Sequence, residues 1–430
     1  LVYINTDYMN VLELTAILLL LASLFSIINL RLLKLPQTIG LMILAIGLSI
    51  AILIIGLIFP KFLASVTELN NSFDFSVLLI DIMLPFLLFA GAISVDVHQL
   101  LKDKLTILLL AGFGVVFSTF AVGSGVFWLI EQPFFGLNSL GLTLVDCLLF
   151  GALIAPTDPI AVLSIVKKMK LSPMTETRIA GESLFNDGIG VVVFLTLLKV
   201  KLTGIENVTF NSVSFLFANE VVGGILIGCL IGYLGLKLVK YIENEHVELE
   251  VLITLSLVLL VSVISNKFHF SGPLGVVMMG LFLNRNIDTD NDQVGVQKAM
   301  GEYVYKFWHL LDETLNAILF ILIGLAIIPI FQNITLTYLL ISALTIFLVV
   351  ISRSIGVFVP IKFLSLFKDF EKGTGLIITW GGLRGGLSIA LALNLPDQLG
   401  EGKELLLFLS YMVVLFSILV QGLTLKKLTK

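Results

Sequence analysis

The sequence predicts an all-α, polytopic membrane protein of about 13 transmembrane helices in two inverted six-helix repeats, whose fifth and twelfth spans are broken and cross. Three observations lead to this fold class: the composition, the recurrence of long apolar stretches, and a polar interruption in each half. Of the 430 residues, 58% are apolar and 13% are charged, and the mean hydropathy is +1.07. Soluble domains carry about a quarter charged residues, so this composition excludes that class. The net charge of −4 indicates no particular partner.

Apolar stretches of roughly 20 residues recur along the chain, and a stretch of that length can cross a bilayer as an α-helix. They lie at 11–30, 37–59, 76–97, 105–130, 141–166, 174–198, 213–239, 248–266, 271–284, 304–330, 335–361, 373–394 and 404–425. No basic region precedes the first stretch, so we expect no cleavable signal peptide.

Basic residues distinguish the two faces of the predicted bundle. Nineteen of the 26 Lys and Arg fall in the connections on one side, five fall on the other side, and two lie within spans. Because basic residues favour cytoplasmic loops, we expect the N-terminus outside and the C-terminus in the cytoplasm. A miscounted span would scramble this asymmetry, so it also supports an odd number of spans.

Two spans are interrupted at corresponding places. In the fifth, Pro156 and Pro159 remove two backbone donors and disfavour helical geometry at the residue before each. In the twelfth, four glycines surround Arg384, and glycine has low helix propensity. Broken helices at matching positions of two halves indicate the midplane binding site of a transporter.

The offset between the two interruptions also predicts the internal symmetry. The twelfth span follows the fifth at an offset of seven spans, so the two broken spans run in opposite directions, as inverted repeats require. We expect one repeat at about 11–198, a linker helix at about 213–239 and a second repeat at about 248–425. We expect them to form one membrane domain over residues 1–430, with no soluble domain.

Polar residues at membrane depth predict a cation or proton site. Thr157 and Asp158 lie in the broken fifth span, and Ser183 and Asp187 lie four residues apart on one face of the sixth. An intramembrane carboxylate costs a few kcal/mol, so it usually serves a water-filled path. Hydroxyl and carboxylate oxygens suit a hard cation such as Na⁺. A single carboxylate that holds either a proton or a cation is the chemical core of an antiporter.

Four further residues are expected to support this site. Glu182 points about 140° away from Asp187 around the helix, so it needs another partner, and Arg353 of the eleventh span is the candidate. Asn186 stands beside Asp187, and Arg384 can offset the negative helix ends in the twelfth span.

The remaining polar groups predict no further site. Cys147 and Cys229 lie in apolar runs and resemble neither a disulfide framework nor a metal site. Asp312 and Glu313 lie near the end of a predicted span, where snorkelling or interfacial solvation accounts for the charge. We expect no cofactor and no nucleic-acid partner.

Three motifs closely resemble those of the cation:proton antiporters of the NhaP/NHE type, the monovalent cation:proton antiporter-1 family. They are GALIAPTDPIAV at 151–162, GESLFNDG at 181–188 and GGLRGG at 381–386. Further landmarks of the family lie at 271–274 and 307–325, so the resemblance covers essentially the whole chain. It implies a 13-helix inverted-repeat fold, a homodimer and elevator-like alternating access.

The resemblance also implies roles for particular residues. Asp187 matches the ion-binding carboxylate, with Asp158, Thr157 and Ser183 nearby as Na⁺ ligands. The remaining matches are Glu182 with Arg353 as the buried ion pair, Arg384 as the arginine at the helix crossing, and Asn186 as the mark of the electroneutral branch. Some relatives carry an acidic residue in the third span, where this chain has Ala90.

These observations predict a secondary antiporter, not an enzyme, that exchanges one Na⁺ or Li⁺ for one proton in a prokaryotic inner membrane. A K⁺/H⁺ antiporter on the same scaffold is the nearest alternative. A passive cation channel is disfavoured because the sequence has no repeated pore-loop filter. A membrane hydrolase is disfavoured because Ser183 and Asp187 have no intramembrane histidine beside them.

Overall fold

The protein is all-α wherever its structure is described. The computed structural model describes residues 5–61, 78–158, 162, 171–204, 209–242, 247–284, 296–325 and 335–429. Within these ranges the fifteen α-helices are α1 (Asn5–Ile28), α2 (Gln37–Ile58), α3 (Leu84–Ser94), α4 (Val97–Lys102), α5 (Lys104–Ile130), α6 (Leu144–Ile154), α7 (Pro173–Thr203), α8 (Phe210–Tyr241), α9 (Val247–Phe268), α10 (Gly272–Asn284), α11 (Val296–Leu325), α12 (Leu336–Leu364), α13 (Thr374–Trp380), α14 (Gly386–Leu393) and α15 (Glu401–Phe416). Turns of π-helix lie at Asn29–Leu33, Leu78–Met83 and Ser417–Gly422.

The helices have the length and composition of membrane spans. Within the described ranges, nine are long and apolar enough to cross a bilayer, and three shorter apolar helices occupy Leu78–Ser94, Leu144–Ile154 and Gly272–Asn284. Large apolar side chains point outward, such as Leu57 at 83% exposure and Phe215 at 71%. Such a surface is stable against lipid and unstable against water. The chain is a multi-pass integral membrane protein.

The helices pack into two bundles. The first bundle contains α1, α2, α3, α8, α9, α10 and α11, and the second contains α5, α6, α7, α12, α13, α14 and α15. Contacts between the bundles are fewer: α7 touches α3, α8 and α10, while α14 touches α11 and the π-helical turn Leu78–Met83. The two interrupted segments both belong to the second bundle.

The start of α6 is fixed by a capping box and a salt bridge. The Thr143 backbone N–H and hydroxyl both donate to Asp146 Oδ2, at 2.9 and 2.7 Å. The first of these bonds satisfies a backbone donor that a helix N-terminus leaves open. Lys201, near the end of α7, donates to the same carboxylate at 2.8 Å. This anchor sets the register of α6 against α7, the two helices that carry the polar motifs.

A buried carboxylate ties together three segments at the opposite end of the second bundle. Asp103, between α4 and α5, forms salt bridges with Arg178 of α7 and with Lys368, which follows α12. Thr106 Oγ1 donates to it at 2.5 Å, and the Arg178 guanidinium lies 4.7 Å from the Phe370 ring centroid. Burial alone would raise the pKa of Asp103, but hydrogen bonds from Lys368, Thr106 and Arg178 hold that pKa below its usual 3.8.

We predict that Asp103→Asn destabilises the folded protein by roughly 3 kcal/mol, because it leaves the Arg178 charge buried without its partner. The readout is the apparent melting temperature in detergent. Since the folded pKa is lowered, the stabilisation is fully present above the ordinary pKa of 3.8 and disappears as the pH falls through the folded value. The gap between wild type and variant should therefore persist at neutral pH and close in stronger acid. Asp369→Asn, at an exposed neighbouring carboxylate, is the control; equal melting temperatures for wild type and Asp103→Asn would contradict the prediction.

Candidate functional site

The two helix interruptions predicted from sequence meet inside the second bundle. Helix α6 ends at Ile154 and residues 156–158 are non-helical, while α13 ends at Trp380 and α14 begins only at Gly386. The backbone N–H of Asp158 donates to the Leu383 carbonyl at 2.7 Å. A donor freed by one break thus satisfies an acceptor freed by the other, as backbone at membrane depth requires. Pro159, the second predicted breaker, lies outside the described residues.

Glycines in the second break permit this contact, because a side chain at these positions would overlap the charged residues beside them. A Cβ placed on Gly385 would lie 2.7 Å from the Cβ of Asp158, and one on Gly382 would lie 2.5 Å from Arg353 Nε. Both separations are shorter than van der Waals contact. The glycines around Arg384 therefore serve close approach to the charged groups as well as interruption of the helix.

The predicted hydroxyl ligands lie together beside Asp187. Thr157 Oγ1 and Ser183 Oγ are 3.1 Å apart, and Asn186 Nδ2 donates to Thr157 Oγ1 at 3.0 Å. The backbone N–H of Thr157 donates to the Asp187 carboxylate. Thr157, Ser183 and Asn186 are each at most 2% exposed. The site therefore combines hydroxyl oxygens with a carboxylate in a setting of low dielectric constant.

Glu182 and Arg353 form the ion pair expected from the helical geometry. Arg353 Nη1 donates to Glu182 Oε1 at 2.6 Å and Nη2 donates to Oε2 at 2.9 Å. Nη2 also donates to the Ile378 carbonyl at 3.2 Å, close to the end of α13. Asn186 Nδ2 donates to Glu182 Oε1 at 3.1 Å. Asn186 thus connects the ion pair to Thr157 and is itself held rigidly.

Arg384 is buried at 3% exposure in the gap between α13 and α14. Its Nη1 donates to the Gly382 carbonyl at 2.6 Å, and its backbone N–H donates to Ser417 Oγ at 2.8 Å. Among the described residues it forms no salt bridge. Its charge instead meets a backbone carbonyl just beyond the end of α13, where the helix dipole is negative.

A cavity of about 80 Å³ lies between the two bundles. The second bundle contributes Thr157, Asp158 and Asp187 to its wall, and the π-helical turn Leu78–Met83 and α3 contribute mainly leucines. Since a water needs about 10–15 Å³ of such cavity volume, the space has room for several waters. Ser183 reaches this wall only through its contact with Thr157.

Two residues on the cavity wall are not predicted from the sequence. Asn316 of α11 and Ser388 of α14 both line it, and both are buried. The prediction that Asp312 lies near a span end is wrong, because α11 extends from Val296 to Leu325 and Asp312 lies well inside it. Asp312 and Asn316 share a helix face four residues apart, which is the signal that could have found them. In the third span Ala90 is buried, with no polar side-chain group to offer.

Comparison with known proteins decides the family. The profile of the family described as "Sodium/hydrogen exchanger, transmembrane" matches residues 18–430. The chain belongs to this family. It is 39% identical to the Na(+)/H(+) antiporter NhaP of Pseudomonas aeruginosa, over 97% of this chain and 96% of that protein. It is 33% identical to the Na(+)/H(+) antiporter NhaH of Halobacillus aidingensis, over 96% of each. These relatives are transporters, not enzymes.

A solved structure shows the same fold. The sodium proton antiporter MjNhaP1 of Methanocaldococcus jannaschii at pH 8 aligns over 99% of both chains with a TM-score of 0.77 and 21% identity. The exchanger-family resemblance carried by the three motifs is thus confirmed over nearly the whole sequence.

We predict that Glu182→Ala lowers the apparent melting temperature by an amount that corresponds to about 3–5 kcal/mol, because it leaves Arg353 charged in the protein interior. The double variant Glu182→Gln with Arg353→Met should recover part of the loss, since neither buried charge then remains. Glu131→Ala, at an exposed glutamate, is the matched control. A Glu182→Ala protein as stable as wild type would show that the ion pair does not hold the fold.

Proposed function

We propose that this protein is a secondary active antiporter that exchanges Na⁺ or Li⁺ for H⁺, with the cation and the proton competing for Asp187. One observation carries the proposal: Asp187 receives the Thr157 backbone N–H and lines an internal cavity together with Asp158, where two broken helices meet. The family and the fold support cation/proton antiport.

The cation would be bound by Asp187, Asp158, Thr157 and Ser183. Carboxylate and hydroxyl oxygens are the ligands that a hard cation prefers. The Thr157 and Ser183 hydroxyls already lie 3.1 Å apart, so both oxygens can turn toward one ion without backbone movement. Water in the cavity completes the coordination shell. When Asp187 takes a proton instead, the strongest ligand loses its charge and the cation leaves.

The neighbouring charges support a one-for-one exchange. Glu182 and Arg353 neutralise each other, and Arg384 donates to a backbone carbonyl. Asn186 is neutral, and its amide nitrogen donates to Glu182 and Thr157. Asp187 is then the group that changes occupant in each cycle, so one cation leaves for one proton and no net charge crosses.

The packing supports two inverted repeats and 13 spans. The first repeat, at about 11–198, would contribute its first three spans to the first bundle and its next three to the second. The second repeat, at about 248–425, would divide in the same way, with the linker helix at about 213–239 in the first bundle. This partition follows the observed grouping of the helices. Movement of one bundle against the other would expose the cavity to each side in turn.

The same proposal includes the assembly and its place in the cell. We infer a homodimer in a prokaryotic inner membrane, with the N-terminus outside and the C-terminus in the cytoplasm. The distribution of Lys and Arg supports the orientation. K⁺ is the alternative cation, and comparison of the ions in transport assays decides between them.

We predict that Asp187→Asn abolishes cation-driven proton movement and leaves the protein folded, because Asn is isosteric and can still accept the Thr157 N–H. Everted vesicles with a pH-sensitive dye are challenged in turn with Na⁺, Li⁺ and K⁺, and folding is followed by size exclusion and melting temperature. Asp397→Asn, at a carboxylate whose side chain is 96% exposed, controls for the substitution itself. Wild-type exchange rates in Asp187→Asn would show that the site is misassigned.

We also predict that the rate of exchange in proteoliposomes is the same with and without an imposed membrane potential. A net charge that crossed the full field would change the driving energy by about 2.3 kcal/mol per 100 mV. The measurement is the initial rate of Na⁺-driven proton flux, with the potential set by a K⁺ gradient and an ionophore. A rate or an end point that follows the potential would rule out one-for-one exchange.

A further inference from the structure

The cavity has a polar wall that the mechanism above does not use. Asn316 of α11 lines it at 4% exposure, and its Nδ2 donates to both the backbone carbonyl and the Oδ1 of Asp312, at 2.8 and 3.0 Å. Because the amide nitrogen is bound to Asp312, the amide oxygen is the group that Asn316 can offer to a ligand. The pair belongs to the first bundle, whereas Asp158 and Asp187 belong to the second.

Ser388 of α14 faces the same cavity. It is 1% exposed, and its Oγ has no hydrogen-bond partner among the residues that the structure describes. A buried polar group without a partner is unfavourable, so its presence on a cavity wall indicates that an occupant of the cavity satisfies it. A cation or its bound water is the occupant that suits a hydroxyl beside carboxylates.

Asp312 stands behind Asn316 and is not among the residues that line the cavity. Its Oδ1 accepts the Asn316 amide N–H at 3.0 Å, and this bond holds the amide so that its oxygen is left for a ligand. Asp312 therefore acts on the cavity through Asn316.

We propose that Asn316 of α11 and Ser388 of α14 form a second binding position for the transported monovalent cation on the wall of this cavity, with Asp312 as the positioning residue that holds the Asn316 amide. The inference rests on the proposed antiport function and adds a ligand from the first bundle to a site otherwise built from the second. Asp187 lines the same cavity, so an ion held there can pass to Asp187 as the proton leaves.

The test compares Na⁺-driven proton flux in proteoliposomes for wild type, Asp312→Asn and Asp312→Glu. Asp312→Asn should raise the KM for Na⁺ about tenfold, equivalent to about 1.4 kcal/mol, and leave the maximal rate near that of wild type. Asp312→Glu should restore much of the affinity. Glu313→Gln, one residue along and half exposed, should leave the KM unchanged.

Ser388→Ala provides an independent arm that does not depend on the folding of Asp312→Asn. Since the Ser388 hydroxyl has no partner within the described part of the chain, its removal should leave the melting temperature equal or higher, and yet raise the KM for Na⁺. A purely structural role for these residues would change stability and not the KM.

An unchanged KM in both Asp312→Asn and Ser388→Ala overturns this inference, provided that the wild-type protein exchanges Na⁺ for protons in the same assay. That result leaves the proposed function intact. Loss of maximal rate without a change in KM overturns it as well. Absence of exchange in the wild-type protein would instead refute the antiport function, so the two failures are distinguishable.

Discussion

The rest of the site depends on the contact between two helix breaks in the second bundle. Unpaired backbone groups are costly at membrane depth, and the hydrogen bond from the Asp158 N–H to the Leu383 carbonyl satisfies one from each break. The bond holds the segment at 156–158 so that the Thr157 amide reaches Asp187. Gly385 makes the approach possible because a side chain there would overlap Asp158.

Charge is compensated unevenly around this contact. Glu182 and Arg353 are paired in a bidentate arrangement, and Arg384 is directed to a carbonyl. In the proposed mechanism the charge of Asp187, which lines the cavity, is compensated in turn by a mobile cation and by a proton. Glu182 and Arg353 compensate each other permanently. The proposal thus separates a charge pair that maintains the fold from a carboxylate that binds.

The sequence predicts this structure well where local pattern decides. Apolar length identifies the helices, Pro156 and the glycines near Arg384 locate the breaks, and helical angle separates Glu182 from Asp187. Contacts between distant segments are harder to predict from the sequence, because no local pattern around Asp158 indicates its hydrogen bond to Leu383. Ser388 is one small polar residue in an apolar helix, and residues of that kind usually serve helix packing. Its importance comes only from the cavity it faces.

The leucine-rich face of the first bundle has a consequence for fidelity. Leu84, Leu87 and Leu88 form an apolar surface in the cavity that the acidic residues also line. If the bundles slide past each other, an unoccupied, negatively charged site would lose its solvation and pass along an apolar surface. The free energy of that movement is high. A bound cation or proton removes one negative charge from the site, so the loaded site crosses the apolar surface at a lower cost in free energy. Such a surface would disfavour movement of the bundle when neither a cation nor a proton is bound. It would thereby couple the cation gradient tightly to the proton gradient.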